Sequence, residues 1–313
     1  MPASARTPFP TALTSTGPLP GRHIPTHVLQ KMTEDVFLPV AELDEGFIRP
    51  TYENQVIVSY MQAGLICEYI GATWGQEALR TMLERFLEGD DTAVAIEAAT
   101  GLPADEFDRQ FAGHIDVEFA GVLASFEDWA ETQRSIQAAV QSGDWPAVSE
   151  ASGAAIALMP DYVDEGSPYL YLARAEREAG NRDLARDTLM TYWRLGGYAP
   201  DALMRLARWL VEDGDNATAI EVYEAVLLVS PLDEAVHAEL GDLLLDVRPA
   251  DALREFTVLA ALEPHDRASV DLRLARAHLA LDDSDQALEH LMYALEIAPQ
   301  YREAQQLLLE IVR

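Results

Sequence analysis

The second half of this 313-residue chain repeats itself about every 34 residues. Pro231, Pro264 and Pro299 follow one another at steps of 33 and 35 residues, and an alanine stands twelve residues before each of them. A bulky side chain stands eight residues before each proline, and an apolar–small pair such as Leu240-Gly241 opens each unit. Small residues at fixed places let two helices approach closely, and proline ends a helix because it lacks an amide donor. A fixed period of this length predicts stacked helix–turn–helix units.

The pattern resembles the tetratricopeptide repeat over about 128–312. Five units carry it, at 128–160, 166–198, 199–231, 232–264 and 267–299. The first unit departs most from the pattern, because Ser152 stands where the others have a bulky side chain. The segment 301–312 is expected to be a helix that caps the open end of the stack. The resemblance implies an all-α solenoid of about five helix hairpins, and such stacks usually bind other molecules and do not catalyse reactions.

Composition excludes several classes of partner. The chain has 22 Lys and Arg against 53 Asp and Glu, which gives a net charge of −31. Phosphate recognition needs clustered cations, so neither nucleic acid nor an anionic membrane surface is an expected partner. No segment is expected to be long and apolar enough to insert into a bilayer. No nucleotide, metal or other cofactor motif is found, so no cofactor is predicted.

Cys67 is the one cysteine of the chain. It can form no intrachain disulfide, and no cysteine cluster is available for zinc. Its apolar neighbours at helical spacing predict a buried structural thiol.

The chain is expected to have three parts. Residues 1–30 are rich in Pro, Ser, Thr and Gly and predict an irregular leader without the features of a secretion signal. Residues 31–125 predict long amphipathic helices, and 128–312 the repeat solenoid. The default compartment is the cytoplasm, and the cell envelope is the alternative if the chain is truncated at its N-terminus.

The middle segment carries a second resemblance. SYMQAG at 59–64 is followed by GDD at 89–91 and TGLPADEFDRQF at 100–111. Their order and spacing over 37–115 resemble the C-terminal helical part of gluzincin-type zinc peptidases, and in particular the bacterial peptidase-MA-like proteins. In that family a His-Glu-x-x-His helix holds the zinc and a downstream glutamate completes the ligand set. This chain has no such motif.

The histidine pair His23 and His27 and the residue Tyr60 are the candidates for a catalytic centre that follow from this resemblance. His23 and His27 have the four-residue spacing of metal ligands, but Ile24 occupies the place of the general base and Pro25 disfavours a regular helix between them. They are therefore expected to be solvent-exposed loop histidines, and no metal site is predicted. Tyr60 resembles a tyrosine that stabilises the tetrahedral intermediate in related peptidases. A packing or interface role is the preferred interpretation, since the chain has no zinc-bound water to support.

Arginines recur on the first helix, helix A, of several repeats, and helix A is expected to line a concave groove. The apolar–small pair is counted as positions 7 and 8 of each unit. By this count, five arginines stand at position 6 or position 9: Arg174, Arg205, Arg208, Arg273 and Arg276. Unit 232–264 has acids at both positions instead. A guanidinium fork suits a carboxylate, so these arginines are candidates for gripping an acidic or C-terminal peptide segment. The alternative is that each pairs with a nearby acid such as Glu176, Asp242 or Asp271.

The sequence thus favours a non-catalytic scaffold that holds a protein or peptide in the groove of the repeats. The alternative is the C-terminal portion of a zinc metallopeptidase whose His-Glu-x-x-His helix lies outside this chain.

Overall fold

The computed structural model describes residues 24–34 and 37–312. These residues form α-helices, short connections and one 3₁₀ turn at Val40–Glu42, and no strand occurs among them. The all-α prediction is therefore confirmed. The described residues up to Ala175 form one compact unit, the N-terminal unit, and those from Glu176 onward form a second, the C-terminal unit.

The N-terminal unit is built from nine helices around one apolar core. They are α1 (Thr26–Thr33), α2 (Glu45–Ile48), α3 (Gln55–Thr73), α4 (Gln76–Glu88), α5 (Thr92–Thr100), α6 (Ala104–Glu118), α7 (Ala120–Ser142), α8 (Trp145–Leu158) and most of α9 (Pro168–Glu178). Val28 of α1, Ile70 of α3 and Ile96 of α5 are fully buried in this core. Phe107 on α6 and Ile136 on α7 complete its centre.

The C-terminal unit contains the end of α9 and eight further helices. They are α10 (Arg182–Arg194), α11 (Pro200–Glu212), α12 (Asn216–Val229), α13 (Glu234–Leu244), α14 (Pro249–Ala261), α15 (Arg267–Ala280), α16 (Ser284–Ile297) and α17 (Arg302–Ile311). From α10 to α17 each helix packs most extensively on its neighbours along the chain. This nearest-neighbour packing is that of a solenoid. The predicted units 199–231, 232–264 and 267–299 correspond to α11–α12, α13–α14 and α15–α16, and α17 is the predicted capping helix.

Small residues lie where the helices of a hairpin approach one another. Ala219, Ala252 and Ala287, the alanines of the repeat pattern, have no exposed surface. Gly241 on α13 lies against Phe256 on α14, so closely that a Cβ atom on Gly241 would be 2.3 Å from the nearest ring carbon. The position requires glycine because of this approach, and not because of an unusual backbone angle.

Aspartates at the N-termini of several second helices set where those helices begin. The side chains of Asp144, Asp215 and Asp283 accept hydrogen bonds from backbone N–H groups in the first turns of α8, α12 and α16. Each cap satisfies a donor that the helix cannot satisfy itself and is favoured by the helix dipole.

Two boundaries differ from those expected. Helix α7 runs unbroken from Ala120 to Ser142 across the expected division between 125 and 128, and the compact units divide within α9 instead. At the other end, α1 begins at Thr26, with Pro25 at its N-cap and Val28 and Leu29 in the core. The last residues of the expected irregular leader 1–30 are therefore helical, and 1–23 lie outside the described residues.

Helix α3 is long and apolar enough to cross a membrane when length and composition alone are considered. It has 19 residues and a mean hydropathy of 1.2. The expectation that no segment reaches this threshold is therefore wrong for α3. Its inner face, which includes Leu65, Ile66 and Ile70, is buried in the core of the N-terminal unit. A core helix meets the same criterion, so this property does not by itself make α3 a membrane span.

Candidate functional site

The candidate site lies on the first helices of the repeats in the C-terminal unit. Helices α11, α13 and α15 each carry a charged side chain at positions 6 and 9 of the repeat. We call these six residues the A-helix face: Arg205, Arg208, Glu239, Asp242, Arg273 and Arg276. Positions 6 and 9 are three residues apart, so both project to the same side of a helix whose positions 7 and 8 are buried in the hairpin.

Arg208 is held by an acid of the following repeat. Its Nε donates to Oε2 of Glu239 at 2.9 Å, and its Nη2 donates to Oε1 at 2.7 Å. The Tyr223 hydroxyl donates to Oε2 of the same carboxylate at 2.6 Å. Burial acts to raise the pKa of Glu239, but the hydrogen bonds from Arg208 and Tyr223 outweigh it and hold this pKa below its ordinary value. The Glu239 carboxylate therefore accepts hydrogen bonds from two side chains of the preceding repeat.

Arg273 makes the same kind of bond to the preceding repeat. Its Nε donates to Oδ1 of Asp242 at 2.9 Å, and its Nη2 donates to Oδ2 at 3.0 Å. The partners are 31 residues apart, as are Arg208 and Glu239. In both pairs a side chain at position 9 of one repeat meets position 6 of the next. The two acids of unit 232–264 thus neutralise an arginine on each side.

Arg276 is paired beyond the last repeat. Its Nη2 donates to Glu303 on the capping helix α17 at 2.8 Å. Both side chains are well exposed, at 42% and 59% of their surface, so this ion pair contributes little to stability by itself.

Arg205 differs from the other arginines of the A-helix face. It is exposed, and among the described residues it makes no ion pair with a carboxylate. Its guanidinium lies over the ring of Trp209, 6.0 Å from the ring centroid. Partial burial, together with repulsion from Arg177 and Arg208, lowers the pKa of Arg205, and Asp201 opposes this effect. Arg205 is thus an unneutralised cation among other cations.

Arg174 belongs to the N-terminal unit and is also without a carboxylate partner among the described residues. Its guanidinium lies 4.8 Å from the centroid of the Trp145 ring. This cation–π contact holds the side chain of α9 against the start of α8.

The structure therefore separates the five predicted peptide-binding arginines into two classes. Arg208, Arg273 and Arg276 are engaged in ion pairs, as the alternative interpretation of the sequence expected. Asp242 is one of the acids that this interpretation named, whereas the other two are bound elsewhere. Glu176 accepts from the Thr188 hydroxyl at 2.8 Å, and Asp271 lies 2.9 Å from Nδ1 of His290. Whether any of the five arginines binds a peptide stays a prediction.

The two histidine candidates form no described metal site. His27 lies on helix α1, and its Nε2 atom is buried without a hydrogen-bond partner. The expectation of a solvent-exposed loop histidine is therefore wrong for His27, because the amphipathic helix α1 draws it against the core. His23 lies outside the described residues. Among the residues that are described, no group of three or more His, Cys, Asp or Glu side chains is placed to hold a metal ion.

Tyr60 lies on α3 and is 67% exposed. Its ring meets that of Phe47 edge to face, with the centroids 4.8 Å apart. Such an exposed tyrosine does not pack in the core. An interface role, the other role that the sequence suggests for Tyr60, stays a prediction.

Cys67 lies on the same helix and is exposed. The expectation of a buried thiol is therefore wrong, since α3 is apolar on its outer face as well as on its inner one. Desolvation nevertheless raises the pKa of the thiol, and the neighbouring carboxylate of Glu68 adds to this rise.

Sequence reasoning missed the aromatic and cationic neighbours of Arg205. Trp209 stands four residues after it, a spacing that places two side chains of a helix in contact. Arg177 lies near the end of α9, and only the folded chain brings it close to Arg205. The i, i+4 spacing was therefore a usable signal for Trp209, whereas nothing in the sequence pointed to Arg177.

Comparison with known proteins identifies one repeat directly. Residues 201–231 match the model of the tetratricopeptide repeat, so the chain contains such a repeat over α11 and α12, as predicted. No curated protein matches the chain in sequence. The tetratricopeptide match does not extend to 37–115, and the resemblance of that segment to zinc peptidases stays a prediction.

Several solved structures are similar in fold. They include YrrB, described as a tetratricopeptide repeat protein with an unusual peptide-binding site (TM-score 0.44, 16% identity, 55% of this chain and 87% of YrrB). MamA is similar over 56% of this chain and 95% of its own, with a TM-score of 0.42 and 15% identity. A tetratricopeptide repeat protein from Parabacteroides merdae covers 59% of this chain and 72% of its own, with a TM-score of 0.41 and 17% identity. These values are too low to transfer a function.

Proposed function

We propose that this protein is a non-catalytic scaffold whose A-helix face binds a protein or peptide partner that carries carboxylates. The observation that carries the proposal is the A-helix face itself. Stacked hairpins bury their small residues and hold six charged side chains at fixed positions on one side of α11, α13 and α15. A guanidinium group held at a fixed position on this face suits an acidic segment, because its planar fork can donate two hydrogen bonds to one carboxylate.

The charge of the chain favours a selective partner. With a net charge of −31, the protein repels acidic molecules over most of its surface. An acidic segment is attracted only where arginines are gathered, and this contrast favours one docking position over others.

A random peptide library displayed on phage tests the proposal. Selection on the purified protein is expected to enrich Asp and Glu, and the selected peptides are expected to bind with one-to-one stoichiometry in calorimetry. Peptides that carry a photo-cross-linker are expected to label α11, α13 or α15, as mapped by mass spectrometry. Failure to select any peptide, or labelling confined to other helices, would refute the proposal.

A charge-reversal pair refines this test. Arg208→Glu with Arg276→Glu is expected to weaken binding of the selected acidic peptides while the helix content measured by circular dichroism is unchanged. Reversal at Arg208 also places two carboxylates together at Glu239, so Arg208→Gln serves as the matched variant without repulsion. Binding that is unaltered in both variants would exclude the predicted contribution of these positions.

The outer face of α3 favours a second candidate function. Ile57 and Tyr60 on α3 and Ile48 beside it are exposed apolar side chains, and 33% of the apolar window of α3 is buried. If the protein is instead the C-terminal portion of a zinc metallopeptidase, a catalytic helix encoded upstream would pack on this apolar face. The coding sequence that precedes Met1 tests this candidate. An in-frame His-Glu-x-x-His motif and zinc bound by the longer product would support it, and neither is expected if the scaffold function is correct.

A further inference from the structure

The A-helix face is neutralised at every described arginine except one. Arg208, Arg273 and Arg276 each face a carboxylate at 2.7 to 2.9 Å. Arg205 faces none among the described residues, in a chain with 53 acids. Asp201, one helical turn before it, lies near enough to influence it but forms no ion pair with it. Among the described residues, Arg205 is therefore the arginine of the A-helix face to which the chain supplies no carboxylate.

The Trp209 ring is the aromatic neighbour of the Arg205 guanidinium group. Trp209 lies on the same helix, one turn further on, with its ring under Arg205. Arg182 also lies over this ring, 5.8 Å from its centroid, and donates to the backbone carbonyl of Trp209 at 3.1 Å. Arg182 is anchored by Asp213 at 2.7 Å. A guanidinium that lies on an aromatic face keeps its N–H edges free for a bidentate acceptor.

The neighbouring cations make an anion favourable at this place. Burial is the main cause that lowers the pKa of Arg205, and repulsion from Arg177 and from Arg208 adds to it. The partners of these neighbours are already committed, Arg177 to Glu178 at 2.6 Å and Arg208 to Glu239. A carboxylate bound at Arg205 would relieve this repulsion without displacing an existing ion pair. At Arg208, Arg273 or Arg276 the same ligand would first have to compete with a carboxylate of the chain.

We propose that Arg205, supported by Trp209 and Arg177, is the point at which the A-helix face binds a carboxylate of its partner, and that Arg208, Arg273 and Arg276 link the repeats to one another. This inference deepens the proposed function and rests on it for the nature of the partner. The carboxylate belongs either to an Asp or Glu side chain or to a chain terminus. Both present the same planar pair of oxygens to the fork.

Two small probes separate these sources. N-acetylglycine presents a terminal carboxylate, and N-acetylaspartate α-methylamide presents a side-chain carboxylate. Each is titrated into the ¹⁵N-labelled full chain, and the Nε–H resonance of Arg205 and the indole N–H resonance of Trp209 are followed. Saturable shifts are expected with one or both probes, and the probe that saturates at the lower concentration identifies the source. Shifts no larger than those caused by equal concentrations of sodium chloride would overturn the proposal.

Variants locate the effect. Arg205→Gln is expected to weaken binding of the better probe about tenfold or more, since a charge-assisted bidentate contact is lost. Arg254→Gln, on α14 outside the A-helix face and engaged with Asp251 at 3.1 Å, is the matched control and is expected to change binding less than about twofold. Arg205→Lys keeps the charge but not the fork and is expected to lie between them. Equal binding by wild type and Arg205→Gln, with unchanged circular dichroism, would refute the assignment.

The outcome also separates this inference from the proposed function. If selected peptides bind equally well to wild type and to Arg205→Gln, the scaffold function stands and the assignment of Arg205 is wrong. If the small probes saturate at Arg205 but no library peptide binds, the site stands and the peptide-scaffold function fails.

Discussion

Replacement of Gly241 by alanine tests the close approach of helices on which the repeat architecture depends. Gly241 lies within α13, where alanine would favour the helix by about 1 kcal/mol over glycine. Against this gain, the new Cβ would lie 2.3 Å from one ring carbon of Phe256 and 2.8 Å from two others. Phe256 has no exposed surface, so its ring cannot move outward into solvent. Overpacking of this kind costs about 1–3 kcal/mol, so the steric effect is expected to exceed the gain in helix propensity.

The assay is urea unfolding followed by circular dichroism, together with amide hydrogen exchange of α13 and α14. Gly241→Ala is expected to lower the free energy of unfolding by about 1–2 kcal/mol and to speed exchange in these two helices most. Gly153 is the matched control. It is exposed within α8, and a methyl group added there would have no neighbour within 4 Å. Gly153→Ala is expected to stabilise the N-terminal unit by up to about 1 kcal/mol.

A second substitution identifies the cause. Phe256→Leu removes the ring that the new methyl group at position 241 would strike, so the double variant is expected to be more stable than the sum of the two single effects predicts. A Gly241→Ala protein as stable as wild type, or effects that add without coupling, would refute the conclusion that α13 and α14 require this close approach.

Three further predictions concern caps and ionisation. Asp215→Ala removes the acceptor of the Thr218 amide, at 3.2 Å, and is expected to cost about 1 kcal/mol in urea unfolding, whereas Asp215→Asn retains most of the cap. The pKa of Glu239 is lowered from its ordinary value of 4.5, so its contribution to stability is full above that value and is lost as pH falls through the lower folded pKa. Glu239→Gln should therefore flatten the acid limb of urea midpoints against pH, and an unchanged limb would contradict this. Because the pKa of Cys67 is raised, iodoacetamide should alkylate the native protein more slowly than the urea-unfolded protein at pH 8, with the rates converging at higher pH; equal rates at pH 8 would contradict it.

The repeat architecture could be predicted because its determinants are local and periodic. The spacing of three alanines predicts where the helices of each hairpin cross. These alanines are buried, as a close crossing requires: Ala219, Ala252 and Ala287. The end of the helical segment 31–125 was not predictable in the same way. Helix α7 crosses the expected boundary because no Gly or Pro interrupts 122–142, and the boundary of a compact unit depends on contacts that hydropathy does not record.

Burial on α3 was misjudged for a related reason. The helix is apolar on both sides, so its periodicity could not tell the inner face from the outer one. Cys67 and Tyr60 fall on the outer face and are exposed, whereas Ile66 and Ile70 fall on the inner face and are buried. Only the positions of the neighbouring helices decide between the two faces.

The ion pairs of the A-helix face carry a sequence signal that a repeat-by-repeat comparison hides. When units are aligned, the acids Glu239 and Asp242 look like an exception among arginines. When each position 9 is instead compared with position 6 of the next unit, 31 residues on, Arg208 meets Glu239 and Asp242 meets Arg273. Unit 232–264, which looks like an exception, thus supplies the acids that bind the arginines of the two neighbouring units. In a solenoid each unit packs on the next one. Ion pairs therefore form between consecutive units, and the charged residues of one unit have to be compared with those of the next. By that comparison a cation is available to a partner only where the neighbouring unit supplies no acid, and on the described A-helix face this condition singles out Arg205.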